Sequence, residues 1–116
     1  MPADSSGAVK DSKKQPGVPD KAVRIVKTNG EQFWSYDDKV NWCGQLSFKN
    51  GQTIPYEKLK EVDISPAERG GFNVRAALAA GTTYEGVSDL CSFDGENALG
   101  GFRVDAADLK RVIFPR

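Results

Sequence analysis

From residue 22 onward the chain alternates short apolar-polar runs with pairs of turn-forming residues. Residues 22–28 place Val23, Ile25 and Lys27 on one face and Arg24 and Val26 on the other, the period of two that a half-buried strand requires. Asn29-Gly30 follows, a favoured pair for a two-residue hairpin because both positions accept positive φ, so residues 31–36 are predicted to return antiparallel. Asp37-Asp38-Lys39 reads as a turn, residues 42–48 as a third strand with Trp42, Gly44, Leu46 and Phe48 on one face, and Asn50-Gly51 as a second hairpin signal. Residues 52–54 then form a short strand and residues 55–58 a bend or single helical turn, before another strand over 59–64.

The same order recurs further along. A stretch of fourteen residues beginning at Gly51 aligns without gaps with one beginning at Gly101: Ile54 matches Val104, Leu59-Lys60 matches Leu109-Lys110, Val62 matches Val112 and Ile64 matches Phe114. Upstream, Val23-Arg24 matches Val74-Arg75 and Gly30 matches Gly81 at a spacing of fifty-one. The chain therefore divides into two related halves, about 22–64 and 72–114, joined by the turn-rich residues 65–71. Strict alternation would put Leu59 and Val62 on opposite faces, and Leu109 and Val112 show the same conflict, which a bulge or a later strand start would resolve. Ala76-Ala77-Leu78-Ala79-Ala80 has helix-favouring composition, but it is short, ends at Gly81 and aligns with the first strand of the other half, so it is read as strand. Residues 82–87 and 90–93 complete the second set, with Asp94-Gly95 and Gly100-Gly101 read as turns.

Two units are too few for a solenoid or propeller. The expected fold class is all-β, a small antiparallel barrel or sandwich built from two pseudo-symmetric repeats and forming one domain over residues 22–116. The ending of each half, strand then short helical turn then strand, resembles that of SH3-like and Sm-like barrels in topology alone.

Residues 1–21 depart from this pattern. With Ser5-Ser6-Gly7, Lys13-Lys14 and Pro16-Gly17 and only scattered apolar side chains, they form a tail predicted to be disordered, because too little surface is available to offset the entropy of ordering it. Met1-Pro2-Ala3-Asp4 lacks the basic start and apolar centre of a signal peptide. One hypothesis places a removed signal or anchor upstream, making this segment a spacer beside a membrane.

Sixteen acidic and sixteen basic residues leave no net field to attract nucleic acid, and no apolar run approaches the ~20 residues of a transmembrane helix, so neither is expected. The chain contains no histidine, which removes Ser-His-Asp and Cys-His catalysis and the commonest metal ligand. No cofactor, structural metal or enzymatic activity is expected.

Three features carry the remaining chemistry. Cys43 and Cys91 occupy equivalent places in the two halves, so they read either as a disulfide joining the halves or as two buried thiols. The cluster Phe33-Trp34-Ser35-Tyr36 with Trp42 has more large rings than one sheet face can bury; it suits a core, a protein interface, or stacking on sugar rings with Asp37 and Asp38 supplying polar contacts. Asp94-Gly95-Glu96-Asn97, with Asp89 nearby, is an oxygen-rich run without EF-hand spacing, and turn chemistry explains it and Asp37-Asp38 more simply than calcium or glycoside hydrolysis. The expected function is a non-catalytic module presenting Trp34, Tyr36, Asp37, Asp38 and Trp42 to a protein partner. A small carbohydrate-binding module is the alternative. The expected location is periplasmic or extracellular, with cytoplasmic the alternative.

Overall fold

The computed structural model describes residues 18–116; the tail expected over 1–21 lies outside the described residues as far as residue 17. Ten strands and three single 3₁₀ turns follow in chain order among the described residues. They are β1 (Ala22–Lys27), β2 (Gln32–Tyr36), β3 (Leu46–Ser47), β4 (Thr53–Ile54), β5 (Leu59–Pro66), β6 (Phe72–Leu78), β7 (Thr83–Ser88), β8 (Phe93–Asn97), β9 (Gly100–Val104) and β10 (Leu109–Ile113). The turns span Asp37–Lys39, Tyr56–Lys58 and Ala106–Asp108. All pairings are antiparallel, so the all-β assignment holds.

Six strands form one sheet in the order β2-β1-β10-β5-β6-β7, and two ribbons, β3-β4 and β8-β9, pair separately. The sheet does not close into a barrel among the described residues. Its edges β2 and β7 are five strands apart in the sheet order, and each is crossed by a ribbon instead of meeting the other.

The register is regular across the middle. Val62 faces Val112, flanked by Glu61↔Ile113 and Asp63↔Arg111. On the far side of each, Val62 faces Ala76 and Val112 faces Ile25. A register shift falls between Leu59 and Glu61 on β5 and another between Leu109 and Arg111 on β10, so a bulge resolves the conflict between alternation and burial and leaves both leucines buried.

The chain passes from one end of the sheet to the other and back. At one end, β8 lies across β2: the Glu96 amide donates to Ser35 Oγ at 3.0 Å, Asn97 Nδ2 donates to the Trp34 carbonyl at 3.2 Å, and Phe102 stacks on Phe33 with ring centroids 5.1 Å apart. At the other end, the chain around β3 lies across β7: Ser88 Oγ donates to the Ser47 carbonyl, the Lys49 amide donates to the Val87 carbonyl at 2.8 Å, and Phe48 meets Tyr84 edge-on. One end thus combines β1 and β2 with the later ribbon β8-β9, and the other combines β6 and β7 with the earlier ribbon β3-β4. The core lies between the sheet and the ribbons and includes Val23, Ile25, Val62, Val74, Val112, Trp42 and Phe93.

Three local expectations are corrected. The third strand covers only Leu46–Ser47, because Cys43 (φ 56°) and Gly44 (φ 79°) both take left-handed backbone and break an extended run. Asp94-Gly95 lies inside β8, and Gly100-Gly101 opens β9, so the turn between them is Ala98-Leu99.

Candidate functional site

Strand alternation decides which side chains face the core. Ile25 pairs with Phe33 and Val23 with Ser35, placing Phe33 and Ser35 inward; Arg24 pairs with Trp34, placing Trp34 on the opposite face. Trp34 is nonetheless only 9% exposed and meets Tyr36 edge-to-face at 5.0 Å. Tyr36 and Asp37 are half-buried and Asp38 is exposed.

Trp42 stands elsewhere. It is 2% exposed, stacks on Tyr56 at 6.1 Å and meets Phe93 edge-on at 5.3 Å, while its indole nitrogen donates to the Cys91 carbonyl at 3.0 Å. Its ring is part of the core and presents no open face. The five residues expected to form one surface therefore separate into a group on and just after β2 and one core tryptophan.

Asp37 is held by Arg116, whose Nη1 donates to it at 3.0 Å and whose Nη2 also donates to the Tyr56 carbonyl at 3.1 Å. Other carboxylates are similarly engaged: Asp94 accepts from Arg103 Nε at 2.7 Å, and Asp63 from Arg111 Nε at 2.6 Å. These bonds raise the pKa of both guanidinium groups. No group of three His, Cys, Asp or Glu side chains among the described residues is placed to hold a metal ion.

The face of the sheet turned away from the core carries two concavities. One of about 450 Å³ is lined by Asp63, Ser65, Asn73, Arg75, Glu85 and Val87 among others, and one of about 280 Å³ by Arg24, Val26, Gln32, Lys110, Arg111 and Ile113. Ion pairs run along this face: Arg111 of the second concavity reaches Asp63 of the first and also Glu61, and Arg75 pairs with Glu85 within the first. The face is cationic over β1 and β10 and mixed in charge over β5 to β7.

One residue that sequence reasoning missed stands out by exposure. Leu99, at the tip of the β8-β9 hairpin, is 97% exposed, the only large apolar side chain so exposed among the described residues. Asn97 fixes the tip by accepting from the Leu99 amide through Oδ1 at 2.9 Å while its Nδ2 bonds the Trp34 carbonyl, which ties the tip to β2. Placing turns at Asp94-Gly95 and Gly100-Gly101 hid the signal, an apolar residue in the true turn.

Cys43 and Cys91 stand at disulfide distance, with Cα atoms 6.1 Å apart, where the chain crosses between the two ends of the sheet. Beside them Asn41 and Asp94 exchange backbone hydrogen bonds of 2.9 and 3.0 Å.

Tyr56 supplies a prediction. Its hydroxyl is buried without a hydrogen-bond partner among the described residues, and desolvation raises its pKa. A raised folded-state pKa contributes stability that is fully present below the unfolded value near 10 and is lost as pH rises through the folded one. Tyr56→Phe is therefore expected to stabilise the protein by about 1 kcal/mol at neutral pH and to reduce the loss of stability above about pH 10. Urea midpoints across that range check both parts; a destabilised variant would mean that the hydroxyl has a partner.

Comparison with known protein families, curated proteins and solved structures gives no significant match.

Proposed function

We propose that this chain is a non-catalytic binding module that engages a protein partner through the rim formed by β2 and the β8-β9 hairpin. The observation that carries this reading is Leu99, an almost fully exposed apolar side chain on a turn whose backbone is fixed beside the strand bearing Trp34 and Tyr36. An apolar side chain carried on a fixed turn is the kind of group that anchors a protein interface, since little backbone ordering remains to be done on docking. Carboxylates held by arginines and a sequence without histidine favour binding over catalysis.

We further infer that the module arose by duplication of a unit with an SH3-like order of four strands, a 3₁₀ turn and a fifth strand. The recurrence of register at spacings of fifty and fifty-one supports this, as do the paired bulges. The cysteine pair suits an oxidising compartment, so the module is assigned to the periplasm or the cell exterior.

A photo-crosslinking residue placed at position 99 is expected to give one dominant adduct in the native cell, and the same residue at exposed position 68, in the loop between the halves, none. Leu99→Ala should change folding stability by less than about 0.5 kcal/mol and weaken the captured complex by about ten-fold or more. Equal labelling from both positions would defeat the assignment.

A further inference from the structure

We propose that Cys43 Sγ is a site of thiol-disulfide exchange in the folded protein, open to attack by the thiolate of a dithiol reductant. The two sulfurs differ in surroundings. Cys43 is exposed, whereas Cys91 is half-buried and its carbonyl is held by the buried indole of Trp42. Cys43 and Gly44 form a sharp left-handed turn, and a concavity of about 110 Å³ lined by Gln45, Ser47, Asp89 and Leu90 adjoins both cysteines. Lys49 lies 3.5 Å from Asp89 and offsets the one carboxylate lining that concavity. An exposed cysteine beside an open concavity meets the condition for direct attack, because the incoming sulfur needs a path to the bond.

The step balances as a two-electron exchange. The incoming thiolate bonds to Cys43 Sγ, the Cys43-Cys91 bond breaks, and its electron pair leaves on Cys91, which takes a proton from water. The second thiol of the reductant then attacks its own sulfur in the mixed disulfide and releases Cys43 as a thiol. The reductant ends as a disulfide and the protein as a dithiol. The Asn41-Asp94 backbone bonds and the Trp42 indole bond remain to hold the crossing, so the reduced protein keeps its fold.

Glutathione serves as the probe, with prompt alkylation of the released thiol and peptide mapping of the adduct on the oxidised full-length chain. The mixed disulfide is expected on Cys43 over Cys91 by about ten-fold or more, at a rate within about ten-fold of that for the denatured chain. Sub-denaturing urea should leave that rate unchanged. A reaction slowed roughly a thousand-fold or more relative to the denatured chain and accelerating with urea would show that global unfolding must come first. That result, or an adduct chiefly on Cys91, overturns the proposal.

Discussion

Gly95→Ala is expected to destabilise the protein by about 3 kcal/mol. A Cβ built at Gly95 falls 2.7 Å from Phe102 Cζ and 2.8 Å from both Cβ and Oγ of Ser35, distances at which atoms cannot coexist. The glycine is there because β8 crosses β2 at this point and leaves no room for a side chain. Accommodating a methyl group means separating the strands, which lengthens the bond from the Glu96 amide to Ser35 and opens the stack of Phe33 on Phe102. Overpacking of this kind costs ~1–3 kcal/mol, and a weakened buried hydrogen bond adds about 1. For a body of about 100 residues the fall in Tm is roughly 15 °C. Gly101→Ala is the control: a Cβ there meets nothing closer than the Gly95 carbonyl oxygen at 3.7 Å, so its cost should stay within about 0.5 kcal/mol. Equal costs from urea unfolding of the two variants would refute the crossing of β8 over β2. At the other end the close approach falls on the sheet edge and not on the ribbon: a Cβ at Gly86 of β7 would lie 2.8 Å from Phe48 Cδ2.

The second large effect is expected from the cysteines. Replacing both Cys43 and Cys91 by serine removes a link across a sequence separation of 48, which loop entropy values at about 4 kcal/mol. Against a total stability of ~5–15 kcal/mol, the loss is large yet leaves the variant folded in water. A third form separates backbone strain from loop closure. Because Cys43 sits at φ 56°, Cys43→Gly with Cys91→Ser should recover about 1 kcal/mol relative to the double serine variant. Urea unfolding of the three proteins measures both effects, and a double serine variant as stable as the oxidised parent would show that the sulfurs are not joined.

The hairpins were legible because their signals are local: Asn29-Gly30 and Asn50-Gly51 announce a reversal whatever lies around them, although each loop has three residues instead of the expected two and only its glycine takes positive φ. The strand at Ala76-Ala77-Leu78 was legible only through its alignment with β1, since composition alone argued for helix; in the fold Ala76 and Val62 face each other in the sheet and tertiary context overrides propensity. Gly95 misled for a physical reason. Glycine serves both turns and close backbone approach, and nothing in the neighbouring residues separates the two uses. The burial of Trp42 was legible in the face it shares with Leu46 and Phe48, all three of them buried; grouping it by ring type with Trp34 and Tyr36 set that signal aside. Which early strand meets which ribbon depends on contacts between residues far apart in sequence, such as Ser35 with Glu96 and Ser47 with Ser88, and periodicity carries no information about them.

β1 and β10 are neighbours, with Arg24 opposite Ile113, so the chain enters the sheet and leaves it on the same side. A load applied through the two ends would act across the hydrogen bonds and peel these strands apart one rung at a time, a low-force geometry. With the sulfurs joined, the span from Cys43 to Cys91 could not be drawn out, so the molecule would yield early and then stop short, lengthening only through its outer segments.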